Sequence, residues 1–412
     1  MSKELLFRLT FFFVLLILTA LVQRFWFVNA WRRIRQIGRP IVRRLLHTVW
    51  WIVFVLLLAT FLDPFLGGVI PRHGWGMRLI VISPIWVSAS FLAFIAFHLV
   101  GLVASTPTLA ARLFDAQTAK FGPTRRSFVR YAAYAAASFP FLGASYALAA
   151  GRFRYQVSKV DVPIANLPKA LDGMKIVQLS DIHAGEFMPR EEVHRAVGMA
   201  NELNADLAVI TGDFISGHND PLEECIAELG NLRAPLGTWG CNGNHEIYAN
   251  AEDTAQQLFW RHGMRLLRQE SVQIEHRGAK FNLIGVDYQR DNMTSGPRGP
   301  MLKDAEHLIN DGMPNILLSH NPNSFRRAAE LGIELSLAGH THGGQVKFEI
   351  VDHVITPARL ITEFVAGLYH LPMNGPSGKA AALYVNRGLG TLGIPVRLGV
   401  PPEITLLTLR AV

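Results

Sequence analysis

Three long apolar segments near the start most constrain what this chain can fold into. They lie at 9–28, 45–65 and 79–104, and each is close to the roughly 20 residues that an α-helix needs to cross a bilayer. A fourth segment, 131–150, is rich in alanine and is a weaker candidate. A buried core helix is the alternative for each segment, and it fits the fourth one best. We therefore predict an all-α transmembrane region of about four spans at 1–150.

The charge of the chain is divided near residue 150. The first 150 residues hold 16 Lys and Arg against three acidic residues, a net charge of +13, whereas the remainder holds 24 basic and 29 acidic residues, a net charge of −5. The high isoelectric point therefore belongs to the apolar part, and we expect no nucleic-acid partner.

The distribution of Lys and Arg around the apolar segments predicts their orientation. Most of these residues lie in 29–44 and 105–130, and the positive-inside rule places both stretches in the cytoplasm. With four spans, everything after residue 150 lies outside the cytoplasm. This predicts a multi-pass protein of the cell inner membrane with an extracytoplasmic C-terminal domain. With three spans the same domain would be cytoplasmic.

A pair of arginines, Arg125 and Arg126, precedes the fourth apolar segment within the stretch Thr-Arg-Arg-Ser-Phe-Val. This stretch resembles a twin-arginine export signal that is displaced from its usual N-terminal position. The alternative is that the arginines mark the cytoplasmic flank of a span. Either interpretation exports the C-terminal domain.

From residue 151 onward, short apolar runs alternate with helical stretches. Strands are predicted at 175–179, 207–210, 281–286, 316–318, 335–338 and 382–385 and around Trp239 and Cys241, and helices at 191–203, 252–262 and 324–331. This alternation favours an α/β domain with central sheets covered by helices. The Gly- and Pro-containing residues 291–300 are predicted to form a mobile loop. Cys225 and Cys241 make no disulfide framework, and two buried free thiols are expected.

Five successive strand ends each carry Asp, His or Asn. They are followed by Ser-Asp-Ile-His at 180–183, Thr-Gly-Asp at 211–213, Asn-Gly-Asn-His-Glu at 242–246, Ser-His-Asn-Pro at 319–322 and Gly-His-Thr-His-Gly-Gly at 339–344. Taken singly, each Asp or Asn is explained as well by a helix cap or a turn, and each His by a structural role. Together they supply the mixture of ligands that two adjacent divalent ions need. In α/β folds, sites form at these carboxyl ends of strands.

These residues resemble the calcineurin-like metallophosphoesterases. The five blocks of that family are D-x-H, G-D-x-x-D, G-N-H-D/E, a lone His and G-H-x-H. Their order and spacing are matched over roughly 155–412 by Asp181 and His183, Gly212 and Asp213, Gly243 to Glu246, His320, and Gly339, His340 and His342. The resemblance predicts a two-sheet α/β sandwich with helices outside at 155–412. Phrases such as Tyr384-Val385-Asn386-Arg387-Gly388-Leu389-Gly390 resemble the bacterial membrane-anchored, twin-arginine-exported subgroup.

The resemblance also implies a site for two divalent metal ions, Mn, Fe or Zn. The implied ligands are Asp181, His183 and His342 for the first ion, Asn244, His320 and His340 for the second, and Asp213 as the bridge. His245 is implied as the catalytic residue that protonates the leaving oxygen or stabilises phosphoryl charge. Arg387 is a candidate for binding a substrate phosphate, with a structural salt bridge as the alternative.

One block departs from the family pattern. The second acidic residue of G-D-x-x-D is replaced by Ser216, and in the family that carboxylate helps to orient the catalytic histidine. We therefore expect His245 to have a less fixed tautomer. His218, Asp220 and Glu246 are candidates to compensate.

The sequence thus predicts a membrane-anchored, metal-dependent phosphohydrolase that cleaves phosphomonoester, phosphodiester or pyrophosphate bonds by attack of a metal-activated hydroxide. Anchoring favours a lipid-linked substrate, and an anchored enzyme that acts on soluble phosphate esters is the alternative. A non-catalytic membrane sensor or scaffold that retains the fold is the rival interpretation; Ser216 supports it and the complete ligand set opposes it. A transporter role is disfavoured, because Asp63 is the only acidic residue within the predicted spans.

Overall fold

The chain forms two compact units, Met1–Tyr146 and Ala147–Val412. The computed structural model describes residues 3–63, 70, 74–113, 123–289, 301–350, 353–360, 362–373 and 379–412. The loop predicted at 291–300 lies outside the described residues.

The N-terminal part of the chain is helical. Its helices are α1 (Lys3–Arg35), α2 (Pro40–Leu62), α3 (Gly74–Leu113) and α4 (Pro123–Ala149). Pro40 opens α2 in the first turn, where its missing N–H costs no hydrogen bond. Gln23 of α1 donates to the Ser90 hydroxyl of α3 at 2.5 Å and accepts from the Trp86 indole at 3.1 Å. Polar side chains are therefore paired between helices, as an apolar surrounding requires.

Among the residues that the structure describes, two helices are long and apolar enough to cross a membrane, fewer than the four that were predicted. They are α2 and the part of α3 that runs from Gly74 to Ser105. Only 11% of the apolar window of α2 is buried, and side chains such as Leu45 and Ile52 are exposed, which argues against a buried core helix. The helix α4 is less apolar than α2 and α3, because it is rich in alanine and carries arginines near its start. Part of the side chains of the first predicted span, 9–28, lies outside the described residues.

The second unit is built on strands. Those among the described residues are β1 (Gln156–Ile164), β2 (Lys175–Leu179), β3 (Leu207–Thr211), β4 (Thr238–Cys241), β5 (Arg265–Leu266), β6 (Glu270–His276), β7 (Ala279–Gly285), β8 (Asn315–Leu318), β9 (Leu335–Ala338), β10 (Phe348–Ile350), β11 (His353–Ile355), β12 (Gly367–Pro372), β13 (Ala380–Val385) and β14 (Glu403–Ala411). The first sheet has the order β1-β14-β2-β3-β4-β5 and the second sheet β12-β13-β9-β8-β7-β6, whereas β10 and β11 form a separate hairpin.

The central strands of both sheets are parallel. In the first sheet β2, β3, β4 and β5 run in one direction, and in the second sheet β13, β9, β8 and β7 do the same. Antiparallel pairs occur toward the sheet edges, between β14 and β2, β12 and β13, and β6 and β7. Because neighbouring parallel strands end at the same edge, the loops after them lie side by side.

Alternate residues of the central strands fill different layers. In β3, Leu207 and Val209 pack between the two sheets, whereas Ala208 and Ile210 face the outer helices. In β9, Leu337 packs between the sheets and Ala338 faces outward. Both faces of these strands are therefore buried, as expected for parallel strands covered on both sides.

Helices cover the outer face of each sheet. The helices α5 (Arg190–Asn201), α6 (Leu222–Leu229) and α8 (Glu252–Arg261) pack on the first sheet, α9 (Phe325–Glu330) packs on the second, and the short α7 spans Asn244–Tyr248. This arrangement confirms the predicted α/β class with helices outside. Cys225 and Cys241 are buried and free, which confirms the expectation for the thiols.

Candidate metal centre

The ligand residues predicted from five strand ends lie together in the structure. Three overlapping groups have ligand atoms within 4.8 Å of one another, and they are Asp181–His183–His342, His183–Asp213–His245 and Asp213–His320–His340. Because His183 and Asp213 each belong to two groups, the groups form one continuous site. Asn244 begins α7 directly after Gly243, whose backbone contacts Asp213.

The distances show where the side chains point. The Asp213 Oδ2 atom lies 3.1 Å from His320 Nε2 and 3.5 Å from His183 Nε2. The His342 Nε2 atom lies 3.3 Å from Asp181 Oδ1 and 3.1 Å from His183 Nε2. Five side chains thus direct nitrogen and oxygen atoms toward the same small space, with Asp213 between two clusters.

Two buried polar atoms at this site test whether a cation fits. The His320 Nδ1–H group donates to the Thr211 carbonyl at 2.6 Å, so a neutral ring presents a bare Nε2 acceptor to the Asp213 carboxylate. Both His320 Nε2 and Asn244 Oδ1 are buried without a hydrogen-bond partner in the described part of the chain. Such atoms cost free energy unless a partner lies between them. A divalent ion bound by the His, Asp and Asn side chains would provide that partner for both atoms.

The protonation of the site agrees with metal binding. Burial lowers the pKa of His183 to about 3 and that of His340 to about 4, so these rings are neutral, as ligands must be. Burial raises the pKa of Asp181 to about 6. Burial would also lower the pKa of His320, but the neighbouring Asp213 carboxylate raises it to about 10. The Asp213 carboxylate thus favours a positive charge at His320 Nε2, and a bound cation would compete with a proton for that position.

The backbone of the predicted ligands is strained. Left-handed φ values occur at Asp181 (50°), His183 (49°), Asp213 (57°), His340 (72°) and His342 (51°). Each costs on the order of 1–3 kcal/mol for a residue other than glycine and persists only where the surrounding structure imposes it. The strain concentrates in the loops that direct the ligand atoms inward.

Two glycines allow these loops to approach one another. A Cβ atom on Gly243 would clash with the Asp213 carboxylate, and one on Gly339 would clash with Ser180 and Asp181. Glycine is therefore required before Asn244 and before His340 for steric reasons.

Comparisons with known proteins agree with this geometry. The sequence profile of the calcineurin-like phosphoesterases matches residues 174–344, which include all of the predicted ligands. An uncharacterised metallophosphoesterase of Helicobacter pylori (strain J99) is 30% identical over 365 residues, which cover 86% of this chain and 88% of the relative. The metallophosphoesterase YkuE of Bacillus subtilis (strain 168) is 30% identical over 258 residues, which cover 60% of this chain and 82% of YkuE. This chain belongs to the calcineurin-like metallophosphoesterase family.

A further relative of this metallophosphoesterase is a Bos taurus protein described as a transmembrane protein with metallophosphoesterase domain. It is 35% identical over 265 residues, which cover 62% of this chain. The chain spans 57% of the length of that relative. The sheet order and the family membership confirm the predicted two-sheet fold.

Ser216 departs from the family pattern, and the structure corrects what we expected of it. The His245 Nδ1 atom lies 2.8 Å from the Ser216 carbonyl oxygen. A carbonyl only accepts hydrogen bonds, so Nδ1 carries the proton and the tautomer of neutral His245 is fixed. The expectation of a less fixed tautomer is therefore wrong, because the main-chain carbonyl of Ser216 accepts the hydrogen bond of His245 Nδ1.

Glu246 acts on the backbone near the catalytic histidine. Its carboxylate accepts hydrogen bonds from the N–H groups of Asp213, Phe214 and Gly243 at 2.8–2.9 Å. It therefore holds the loop after β3 against the start of α7, which keeps Asp213 beside His245. Of the three candidates for compensation, Glu246 and Asp220 contact backbone in this region.

Arg387 is paired with a buried carboxylate. Its Nε and Nη2 atoms lie 3.1 Å from the Glu403 oxygens, and Nη2 also approaches Gln156 and Ser158 at 3.2 Å. These contacts are those of the salt bridge that the sequence left as the alternative. Arg387 also lines a cleft of about 780 Å³ that reaches Gly343 next to His342, so contact with substrate stays a prediction.

The sequence did not point to two side chains that support the site. Arg397 is fully buried behind His342 and donates to the carbonyl groups of Arg387, Gly388 and Gly390. No pattern in a single sequence identifies it. The amide of Gln178 in β2 donates across to the Ala338 carbonyl at 2.9 Å and so joins the two sheets. Gln178 could have been noticed in the sequence, because it is a polar residue within the otherwise apolar run of β2.

Proposed function

We propose that this metallophosphoesterase is a membrane-anchored, two-metal phosphohydrolase. The position of Asp213 carries the proposal, since its carboxylate lies between His183 and His320 and joins two ligand groups. A carboxylate shared between two ligand sets is an arrangement that would hold a pair of divalent ions, as in two-metal phosphatases.

Each ion has its own ligands in this proposal. The first ion would be held by Asp181, His183 and His342, the second by Asn244, His320 and His340, and Asp213 would contribute to both sets. When bound, the ions supply Lewis acidity and lower the pKa of water. The protein supplies orientation, because the Nδ1 atoms of His183 and His320 are engaged by the Ser216 hydroxyl and the Thr211 carbonyl. Both Nε2 atoms are thereby kept directed inward.

His245 is the proposed proton donor. Its Nδ1–H group is held by the Ser216 carbonyl, its side chain is close to His183 with ring centroids 4.8 Å apart, and it is 8% exposed. The second ring nitrogen, Nε2, is thus the atom that, when the ring carries a proton on both nitrogens, protonates the leaving oxygen of a bound phosphate ester and leaves the neutral Nδ1–H form behind.

The substrate is proposed to be a phosphomonoester, a phosphodiester or a pyrophosphate. Basic side chains of the adjoining cleft support an anionic substrate, and they are Lys159, Lys347, Arg359 and Arg387. Anchoring favours a lipid-linked phosphate, because the membrane region keeps the site near the bilayer. Metal identity is proposed from the donor set, for which Mn, Fe or Zn are suitable.

The topology belongs to the same proposal. We place a transmembrane region at 1–150, with α2 and α3 as its candidate spans, and the catalytic domain at 155–412, outside the cytoplasm of a cell with an inner membrane. This location requires α4 to cross the membrane as well, because the positive-inside rule keeps 105–130 in the cytoplasm. Two apolar helices and the name of the bovine relative support membrane association, and Arg125 and Arg126 support the twin-arginine subgroup. A reporter fused after Val412 tests the orientation: alkaline phosphatase activity is expected there, and activity of a cytoplasmic reporter instead would overturn it.

The activity is tested with the full chain in detergent after loading with Mn²⁺. We expect hydrolysis of aryl phosphates or bis-aryl phosphates, and loss of that activity in Asp213→Asn. Asp206→Ala is the matched control, since Asp206 accepts a hydrogen bond from the Lys175 N–H group and belongs to none of the ligand groups. Normal turnover by Asp213→Asn, or no hydrolysis by a wild-type protein with two bound ions, would overturn the proposal.

A further inference from the structure

Ser216 contacts two imidazoles of the candidate site at once. Its hydroxyl oxygen lies 2.9 Å from Nδ1 of His183, and its carbonyl oxygen lies 2.8 Å from Nδ1 of His245. The two rings are nearly perpendicular, at 84°. A single residue therefore sets the orientation of one proposed metal ligand and of the proposed proton donor.

The turn that carries Ser216 is closed by one carboxylate. Asp220 Oδ2 accepts hydrogen bonds from the N–H groups of Ser216 and Gly217, both at 2.8 Å. The Asp220 N–H group donates to the Gly217 carbonyl at 3.1 Å. Gly185 lies close on the other side, where a Cβ atom would come within 3.2 Å of Asp220 Oδ1. The carboxylate thus fixes the backbone from which Ser216 presents both of its oxygens.

The two oxygens of Ser216 accept hydrogen bonds from different histidines. A histidine that binds a metal through Nε2 needs an acceptor for its Nδ1–H group, and the hydroxyl is that acceptor for His183. The carbonyl is the acceptor for His245. The carbonyl belongs to the main chain and remains after substitution of the side chain, whereas the hydroxyl does not. The two functions can therefore be separated by mutation.

We propose that Ser216 and Asp220 together replace the second carboxylate of the family pattern. The Ser216 hydroxyl positions His183, the Ser216 carbonyl positions His245, and Asp220 positions both through the backbone of the turn. The inference rests on the proposed two-metal function and adds three positioning groups to it.

The hydroxyl is tested by Mn²⁺ binding to the full-length protein. In Ser216→Ala we expect one of the two Mn²⁺ affinities to fall about 10–100-fold, the usual effect of removing a hydrogen-bond partner of a ligand, and the other to stay unchanged. The spin-coupled electron paramagnetic resonance signal of a dimanganese pair should appear only at correspondingly higher Mn²⁺. Ser216→Thr keeps a hydroxyl and should bind as the wild type does.

The carbonyl and the carboxylate are tested by turnover at saturating Mn²⁺. Ser216→Ala should lower kcat less than Asp220→Ala does, since the carbonyl that holds His245 remains. Asp220→Ala should lower kcat about tenfold with KM unchanged, because it releases an interaction needed in the transition state and not in substrate binding. Asp206→Ala, which also removes a carboxylate bonded to a backbone N–H group, should change neither constant.

The outcomes separate this inference from the proposed function. Wild-type affinity for both ions in Ser216→Ala, or an unchanged kcat in Asp220→Ala, would overturn the inference. A wild-type protein that binds two ions and hydrolyses no phosphate ester would overturn the proposed function, and the affinities of Ser216→Ala would still decide the role of the hydroxyl. Loss of both ions in Ser216→Ala but not in Ser216→Thr would contradict the assignment to a single site.

Discussion

The two halves of the candidate metal centre are supported in different ways. In the first half, which comprises Asp181, His183 and His342, the supporting groups include side chains, namely the Ser216 hydroxyl and the buried Arg397 guanidinium. In the second half, which comprises Asn244, His320 and His340, His320 is held by the main-chain carbonyl of Thr211. A main-chain carbonyl survives substitution of its own side chain. The first half therefore depends more on the identity of residues outside the ligand set.

The largest effects are expected from the ligands themselves. His183→Ala and His320→Ala should each lower kcat/KM about 10³-fold, since each removes several kcal/mol of metal-based stabilisation. The two variants should retain different ions. His183→Ala should keep the ion of the second half, and His320→Ala should keep the ion of the first half. Elemental analysis of the purified variants together with hydrolysis of an aryl phosphate measures both. Loss of both ions in either variant would show that the halves do not bind independently.

A smaller effect is expected from Arg397, which supports the first half. Arg397→Met should lower the free energy of unfolding by about 3 kcal/mol, because the carbonyl groups of Gly388 and Gly390 lose their buried donor. Thermal unfolding should shift by roughly 8 °C for a domain of this size. The exposed pair of Arg410 with Asp161 is the control, and Arg410→Met should cost about 0.5 kcal/mol.

The same substitution tests the comparison between the halves. The backbone that Arg397 holds contacts Asp181, since the Gly390 N–H group donates to the Asp181 carbonyl at 2.7 Å. Arg397→Met should therefore weaken the ion of the first half more than that of the second. If Mn²⁺ titration shows that the affinities for both ions fall equally, Arg397 does not support the first half specifically.

The smallest effect is expected from Glu403, which accepts the hydrogen bonds of Arg387. Burial alone would raise the pKa of Glu403, but Arg387 holds it below its usual value. The ionised carboxylate therefore stabilises the folded protein above the pKa of about 4.3 that it has in the unfolded chain, and this stability is lost as the pH falls through the lower folded pKa. Glu403→Gln should cost about 2 kcal/mol near pH 7.

The pH dependence provides the measurement for Glu403. The difference in unfolding temperature between the wild type and Glu403→Gln should shrink as the pH falls from 7 to 3. A difference that stays constant over this range would mean that the charge of Glu403 does not contribute to stability.

The strands β2, β3, β4, β7, β8, β9 and β13 were predictable because their apolar runs are short and bounded, whereas the interior strand β14 was missed. The strands 175–179 and 335–338 have the predicted bounds, and the strand predicted at 207–210 extends one residue further, to Thr211. The outer strands β1 and β12 were missed, since they mix polar residues and prolines with apolar ones. The pairing of β1 is non-local, since β1 joins β14 across about 240 residues of chain. Only long-range hydrogen bonding makes such segments strands.

The candidate site was predictable for a related reason. Parallel strands end at one edge, so ligand residues placed after successive strands converge without any knowledge of the partners. The supporting groups were not predictable, because the position of a carbonyl such as that of Ser216 depends on backbone conformation and not on residue type. The hydrogen bond between His245 and the Ser216 carbonyl therefore could not be predicted from the sequence.

The sequence by itself determined that the chain has an apolar, basic N-terminal region and an α/β domain whose strand ends carry Asp, Asn and His in a family-specific order. It did so because hydrophobic periodicity and ligand chemistry are local properties of the chain. Only the tertiary structure decided that Arg397 is buried behind His342 and that Ser216 holds two histidines. These facts depend on distances between residues far apart in sequence, which are set by the packing of the two sheets.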